Sequence, residues 1–288
     1  MISITEYLNN ILDDFKEYLS KNQELCKLKD LNFSNENIPD YNDVNLQQLY
    51  ILRYGLSYAF DYYKIAYNIL KECNDYDKIR VLSVGCGTGI DYWGFVNAIE
   101  KYKSKISIDY VGIDLVDWSY KFEFRDIDNG EYIISDISKY LDSIDEIDFD
   151  VIMFPKSISE FSEYKQIVEK IKSKITSKTL FVGANIRKKE SEKKNELSRL
   201  FLLEYELLEG KYNEVKSVFK EYKEDEAFIT IDPFFKHADG VIDLLDSLNK
   251  CCYKDNNRYC ELCSSLNRKP ILKTNNTIHK IYEFTRSD

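Results

Sequence analysis

The sequence predicts an α/β fold built around a mostly parallel sheet, and three observations lead to it. The stretch Val81-Leu-Ser-Val-Gly-Cys-Gly-Thr-Gly89 carries buried-strand residues straight into three alternating glycines, and a helical pattern follows from Ile90. Short apolar runs then alternate with amphipathic helical segments through residue 186. Ahead of all this, residues 1–78 read as helices only.

In that first region Ile4, Tyr7, Leu8, Ile11, Leu12, Phe15 and Leu19 recur at helical spacing. A polar loop holding Pro39 follows, and Asn42 or Asp43 is placed to cap a second helix running to Leu70. Its aromatic stretch from Leu52 to Tyr63 reads as packing against a sheet or, more sharply, as a lid in which Arg53 or Tyr54 faces a carboxylate or a ring. The glycine turn comes next. Glycine lets the backbone approach a ligand, and the helix start offers unpaired N–H groups. Spacing narrows the ligand: a dinucleotide turn wants its third glycine one place later, and the Gly-Lys-Ser/Thr of a phosphate loop is absent.

Val-Leu-x-Val-Gly-x-Gly-x-Gly resembles motif I of the class I S-adenosylmethionine (SAM)-dependent methyltransferases. The resemblance covers residues 79–186 and implies a Rossmann-like, seven-stranded, mostly parallel sheet with helices on both faces. It also implies that Gly85, Cys86, Gly87 and Gly89 hold the amino-acid end of SAM. The family usually carries Asp or Glu where this chain has Ser83, so that grip is weaker or differently made. A second strand ends at Asp114, the position implied to hold the ribose hydroxyls, with Leu115 beside it. A third ends at Asp136, implied to meet the adenine amino group while Ile137 covers the ring. A fourth strand holds Phe154, also implied to line the cofactor. The Asn/Asp-Pro-Pro-Tyr/Phe of many base-amine methyltransferases is replaced by Phe154-Pro155-Lys156-Ser157. Lys156 and Glu160 are the candidate catalytic residues, because a desolvated lysine is a base near neutral pH. Ser157 or Ser159 is placed to cap the next helix. His279, inside an apparent strand, reads as structural.

Beyond a fifth strand, Thr179 to Asn185, a charge run begins at Arg187 and reads as a solvated helix start. Residues 187–268 are expected to form a substrate-side insertion, with an extra strand near Phe228–Pro233 and a short helix over Val241–Leu248. The insertion carries Cys251, Cys252, Cys260 and Cys263. A structural zinc on Cys252, Cys260, Cys263 and His237 and unligated thiols are both open readings. Residues 269–288 are expected to form a hairpin turning at Asn275-Asn276, completing the sheet with its last two strands after the cysteine-bearing insertion.

The net charge of −10 excludes a protein that coats nucleic acid non-specifically, yet basic residues outnumber acidic ones from Lys250 onward. A small-molecule or peptide acceptor is slightly favoured, with RNA the alternative and a non-catalytic SAM-binding subunit the second alternative. No apolar run approaches the about 18 residues of a membrane span, and no signal-peptide pattern opens the chain, so a cytoplasmic protein is expected. Seven cysteines, an odd number, do not suggest a disulfide framework. Oligomeric state is not legible.

Overall fold

The computed structural model describes residues 3–21, 41–73, 76–102, 105–187, 189–221 and 277–286. The chain divides into two units, one of residues 1–58, 118–121 and 227–273, the other of residues 59–117, 122–226 and 274–288.

In the first unit α1 (Ile4–Lys21) buries Ile4, Leu8, Ile11, Leu12 and Phe15, the face its spacing predicts. Asp43 caps α2 (Val44–Leu70), its Oδ1 accepting from the Asn45 N–H at 2.8 Å. The segment 118–121 is tied in by Ser119 N–H donating to Gln47 Oε1 (2.8 Å) and Tyr7 Oη donating to the Tyr120 carbonyl (2.7 Å). Tyr41, Tyr50 and Trp118 pack ring on ring, and the Arg53 guanidinium lies 4.9 Å from the centre of the Tyr54 ring.

The second unit is a seven-stranded sheet in the order β3-β2-β1-β4-β5-β7-β6. Its strands are β1 (Lys78–Val84), β2 (Ser107–Asp114), β3 (Asn129–Ile134), β4 (Val151–Phe154), β5 (Thr179–Arg187), β6 (Glu214–Glu221) and β7 (Thr277–Thr285). The first five are parallel neighbours, while β7 is antiparallel to both β5 and β6. The helices are α3 (Ile90–Tyr102), α4 (Ile137–Ser143), α5 (Tyr164–Lys174) and α6 (Glu190–Leu208). One core cluster joins Leu82, Ile152, Phe154 and Val182 to the buried sides of α4, α5 and α6. On the opposite face the carboxyl half of α2 lies so close to β5 that a Cβ on Gly183 would come within 2.7 Å of Ile65. The order of strands reverses between β1 and β4, and ligands of open α/β sheets bind outside the carboxyl ends there.

Two expectations are corrected. The sixth strand is Glu214–Glu221, inside the stretch read as an insertion, so the cysteine-bearing segment falls between the last two strands and not before both. Its charged pattern, Glu-Val-Lys-Ser-Val-Phe-Lys-Glu, is that of an edge strand, which masked it. Neither Ser157 nor Ser159 caps α5, which begins after Glu163 without a side-chain cap. The strand expected at Phe228–Pro233, the helix at Val241–Leu248, the Pro39 loop, the Asn275-Asn276 turn and the set Cys252, Cys260, Cys263 and His237 lie outside the described residues. Among the described residues no helix is long and apolar enough to cross a membrane, and no group of three metal-ligating side chains occurs.

Candidate functional site

The glycine turn is shaped by backbone geometry alone. Gly85, Gly87 and Gly89 have φ of 75°, 57° and 79°, the left-handed region that glycine enters without the Cβ penalty. The space is closed as well, since a Cβ on Gly85 would sit 2.4 Å from the Ser157 Cβ. Ile113 anchors the entry, its carbonyl accepting from the Gly85 N–H (2.7 Å) and the Cys86 N–H (3.1 Å). Asp114, at the tip of β2, accepts from Gly87 N–H at 2.8 Å through Oδ2 and from Val116 N–H at 2.9 Å through Oδ1. That carboxylate therefore sits against the turn, as the spacing of the two motifs implies.

The other residues expected on the cofactor side divide. Asp136 Oδ1 accepts from the Ser138 N–H (2.8 Å) and caps α4, while Ile137 is buried in the core. Phe154 is fully buried in β4, edge-on to Phe161. The apolar area open at these strand tips belongs to Leu115, 70% exposed, and to Ile134, 54% exposed and paired with Asp114. Ile134 was not singled out from the sequence; its signal was its place just before the Ser135-Asp136 end of a strand.

At the end of β1, Ser83 is fully buried beside the Asp91 carboxyl and the Tyr110 hydroxyl. A nearby carboxylate comes from α3: Asp91 Oδ1 accepts from Tyr110 Oη at 2.9 Å, and burial pushes its carboxyl up to about 6. Asp91 too was missed, because Gly-Ile-Asp at a helix start reads as a favourable first-turn acid.

The loop after β4 is built from side chains. Ser157 is buried and donates its Oγ to the Val84 carbonyl, clipping this loop to the end of β1. Lys156 is the single non-glycine residue with positive φ among the described residues, at 59°. Its Nζ lies 3.5 Å from Asp61 Oδ2, and Asp61 Oδ1 lies 3.5 Å from His279 Nε2. Asp61 and His279 are essentially unexposed and the Lys156 side chain is only 15% exposed. Burial pulls Lys156 down to about 8, against the opposing pull of Asp61, and burial also holds His279 below the ordinary imidazole range, hence neutral. Asn185 of β5 pairs directly with His279 of β7, is fully buried, and neither polar atom of its amide has a partner among the described residues. Glu160, the second catalytic candidate, is exposed and ion-paired with Arg187 at 3.1 Å. Buried Glu196 braces the same loop, accepting from Ser159 Oγ (2.9 Å) and from Arg187 N–H (2.7 Å).

Register places these two loops side by side. Ser83 pairs with both Gly112 and Met153, Met153 with Gly183, and Gly183 with Ile281. Two residues further along each strand, the same face presents Asp114, Gly85, Asn185 and His279.

No family model matches the sequence, and no curated protein does. Solved structures named as methyltransferases are among those it is similar to. The plantazolicin methyltransferase BpumL, in complex with a monoazolic desmethylPZN analog and SAH, is 12% identical with a TM-score of 0.46, covering 96% of this chain and 99% of that one. A SAM-dependent methyltransferase from Archaeoglobus fulgidus is 18% identical with a TM-score of 0.37, covering 77% and 94%. A TehB-like SAM-dependent methyltransferase from Corynebacterium glutamicum is 13% identical with a TM-score of 0.38, covering 77% and 88%. These likenesses concern the fold, and no residue role below rests on them.

Proposed function

We propose that this chain is a SAM-dependent methyltransferase acting on a small molecule or a peptide. The observation that carries the reading is the left-handed triple-glycine turn between β1 and α3, set against the Asp114 carboxylate where the strand order reverses. A turn of three left-handed glycines, with helix N–H groups beyond it, fits the amino-acid end of SAM. Gly85, Cys86, Gly87 and Gly89 would hold that end, Asp114 the ribose, and the open apolar area of Leu115 and Ile134 the ring. SAM supplies a methyl group activated on a sulfonium, so the protein has only to align an acceptor and manage its proton.

Lys156 is the group suited to the proton. Its position beyond β4, its burial and its lowered basicity give it a usable neutral fraction near pH 7–8, and Asp61 steadies the cation that forms. The excess of basic residues after Lys250 makes structured RNA the alternative acceptor, and the buried acid beneath an unusual Ser83 leaves a non-catalytic SAM-binding subunit as a second alternative. Calorimetry with SAM and S-adenosylhomocysteine tests the cofactor, and no heat from either on folded protein sinks the proposal. Transfer from methyl-labelled SAM into the small-molecule, peptide or RNA fraction of a cell extract separates the acceptors, and binding without transfer favours the non-catalytic subunit. Zinc on Cys252, Cys260, Cys263 and His237 rests on spacing alone, and metal analysis of purified protein decides it.

A further inference from the structure

Four buried polar side chains lie near the carboxyl ends of β4 and β5, all within the second unit: Asp61 from α2 between Lys156 from the loop after β4 and His279 from β7, with Asn185 of β5 paired in register with His279. We propose that this cluster is the acceptor subsite and that it takes a primary or secondary amine. The proposal rests on the methyltransferase reading above and names the class of group methylated.

Two independent features say that the cluster is built for a ligand. The Asn185 amide is wholly buried with neither its oxygen nor its nitrogen paired among the described residues, a cost of about 1–3 kcal/mol for each polar group left so. Lys156 keeps a left-handed backbone that a glycine would hold without strain, so the position retains a side chain at a backbone cost. Lys156 lies 3.5 Å from the Asp61 carboxylate, Asn185 pairs in register with His279, which lies 3.5 Å from the same carboxylate, and neither feature is needed to complete the sheet.

Charge selects the ligand. An ammonium entering beside Asp61 and a neutral Lys156 gives one N–H proton to Lys156 Nζ, and the number of buried charges is unchanged, with Asp61 now facing the lysine cation. The freed nitrogen lone pair then forms the new N–CH3 bond while the S–C bond of the sulfonium breaks and its electron pair stays on sulfur. A hydroxyl acceptor would have to become an alkoxide next to the Asp61 carboxylate, two like charges in a buried place, with a base too weak to make it. Asn185 Oδ1 adds lone pairs that suit an N–H donor.

The test uses the full-length protein saturated with S-adenosylhomocysteine, titrated by calorimetry with benzylamine and with benzyl alcohol, which differ only in the polar head. The amine is expected to bind at least tenfold tighter than the alcohol. Asn185→Ala and the conservative Asp61→Asn are each expected to erase that preference while S-adenosylhomocysteine affinity stays within about twofold, which also shows that the variants are folded. Equal binding of the two probes, binding of neither, or a preference that survives both substitutions would overturn the subsite. Failure of the wild-type protein to bind S-adenosylhomocysteine at all would instead remove the reading beneath it.

Discussion

The turn after β1 and the turn after β4 stand side by side and solve one geometric problem in opposite ways. Each must swing the chain sharply outward beyond a strand, and each enters left-handed backbone to do so. The first uses glycine three times and so offers a ligand only amides. The second spends the same conformation on Lys156 and so delivers a side chain, clipped in place by Ser157 on the Val84 carbonyl. On the proposed reading, side chains are shed where the backbone is to bind, and strain of about 1–2 kcal/mol is tolerated where a side chain is to act.

Substitutions can break that contrast. The largest effect is expected from Gly85→Ala, which adds a Cβ 2.4 Å from Ser157 in left-handed backbone. Strain and overpacking together give about 2–5 kcal/mol of lost stability, read by denaturant unfolding, with S-adenosylhomocysteine affinity down by at least about 100-fold. Gly87→Val is expected to abolish binding in a protein that still folds. On the other turn, methyl transfer should rise with pH through about 8 as Lys156 loses its proton, and Lys156→Met should remove transfer while cofactor binding persists. A pH profile flat between 6.5 and 9 with a saturating acceptor would contradict that role.

A smaller effect is expected beneath the glycine turn, at Asp91. Burial raises this carboxyl from its ordinary 3.8 to about 6, so the folded protein holds the proton more tightly than the unfolded chain. Stability from this group is full below about pH 4 and is lost as pH climbs to about 6, by about 1–3 kcal/mol. Asp91→Asn should therefore raise the melting temperature at pH 7 and leave it nearly unchanged at pH 4. The smallest effect isolates the strain itself: Lys156→Gly should be more stable than Lys156→Ala by about 1 kcal/mol, the reverse of the order at an ordinary position.

The same contrast explains what the sequence made legible. The strand, the glycine turn and Asp114 lie within residues 81–114, and their chemistry is written in local spacing, so that part of the fold and site could be read directly. Asp61, Asn185 and His279 come from three distant segments, and each alone looks like an ordinary core or surface residue. Only the pairing of β5 with β7 and the close approach of α2 over Gly183 bring them to Lys156. Edge strand β6 escaped for a different reason: with four charged residues in eight, its pattern serves solubility more than burial.

The placement of β7 between β5 and β6 has a consequence for how the protein comes into being. A ribosome delivers β1 to β5 and α5 long before Thr277–Thr285 emerges, and until then the flank of β5 has no hydrogen-bonding neighbour. Closing that gap joins segments nearly a hundred residues apart, a step whose entropy cost makes it slow. On the proposed reading, the nascent chain would present its glycine turn and Lys156 before His279 arrives to complete the buried cluster, and ligand-assisted maturation during synthesis becomes a natural way to protect the half-made sheet.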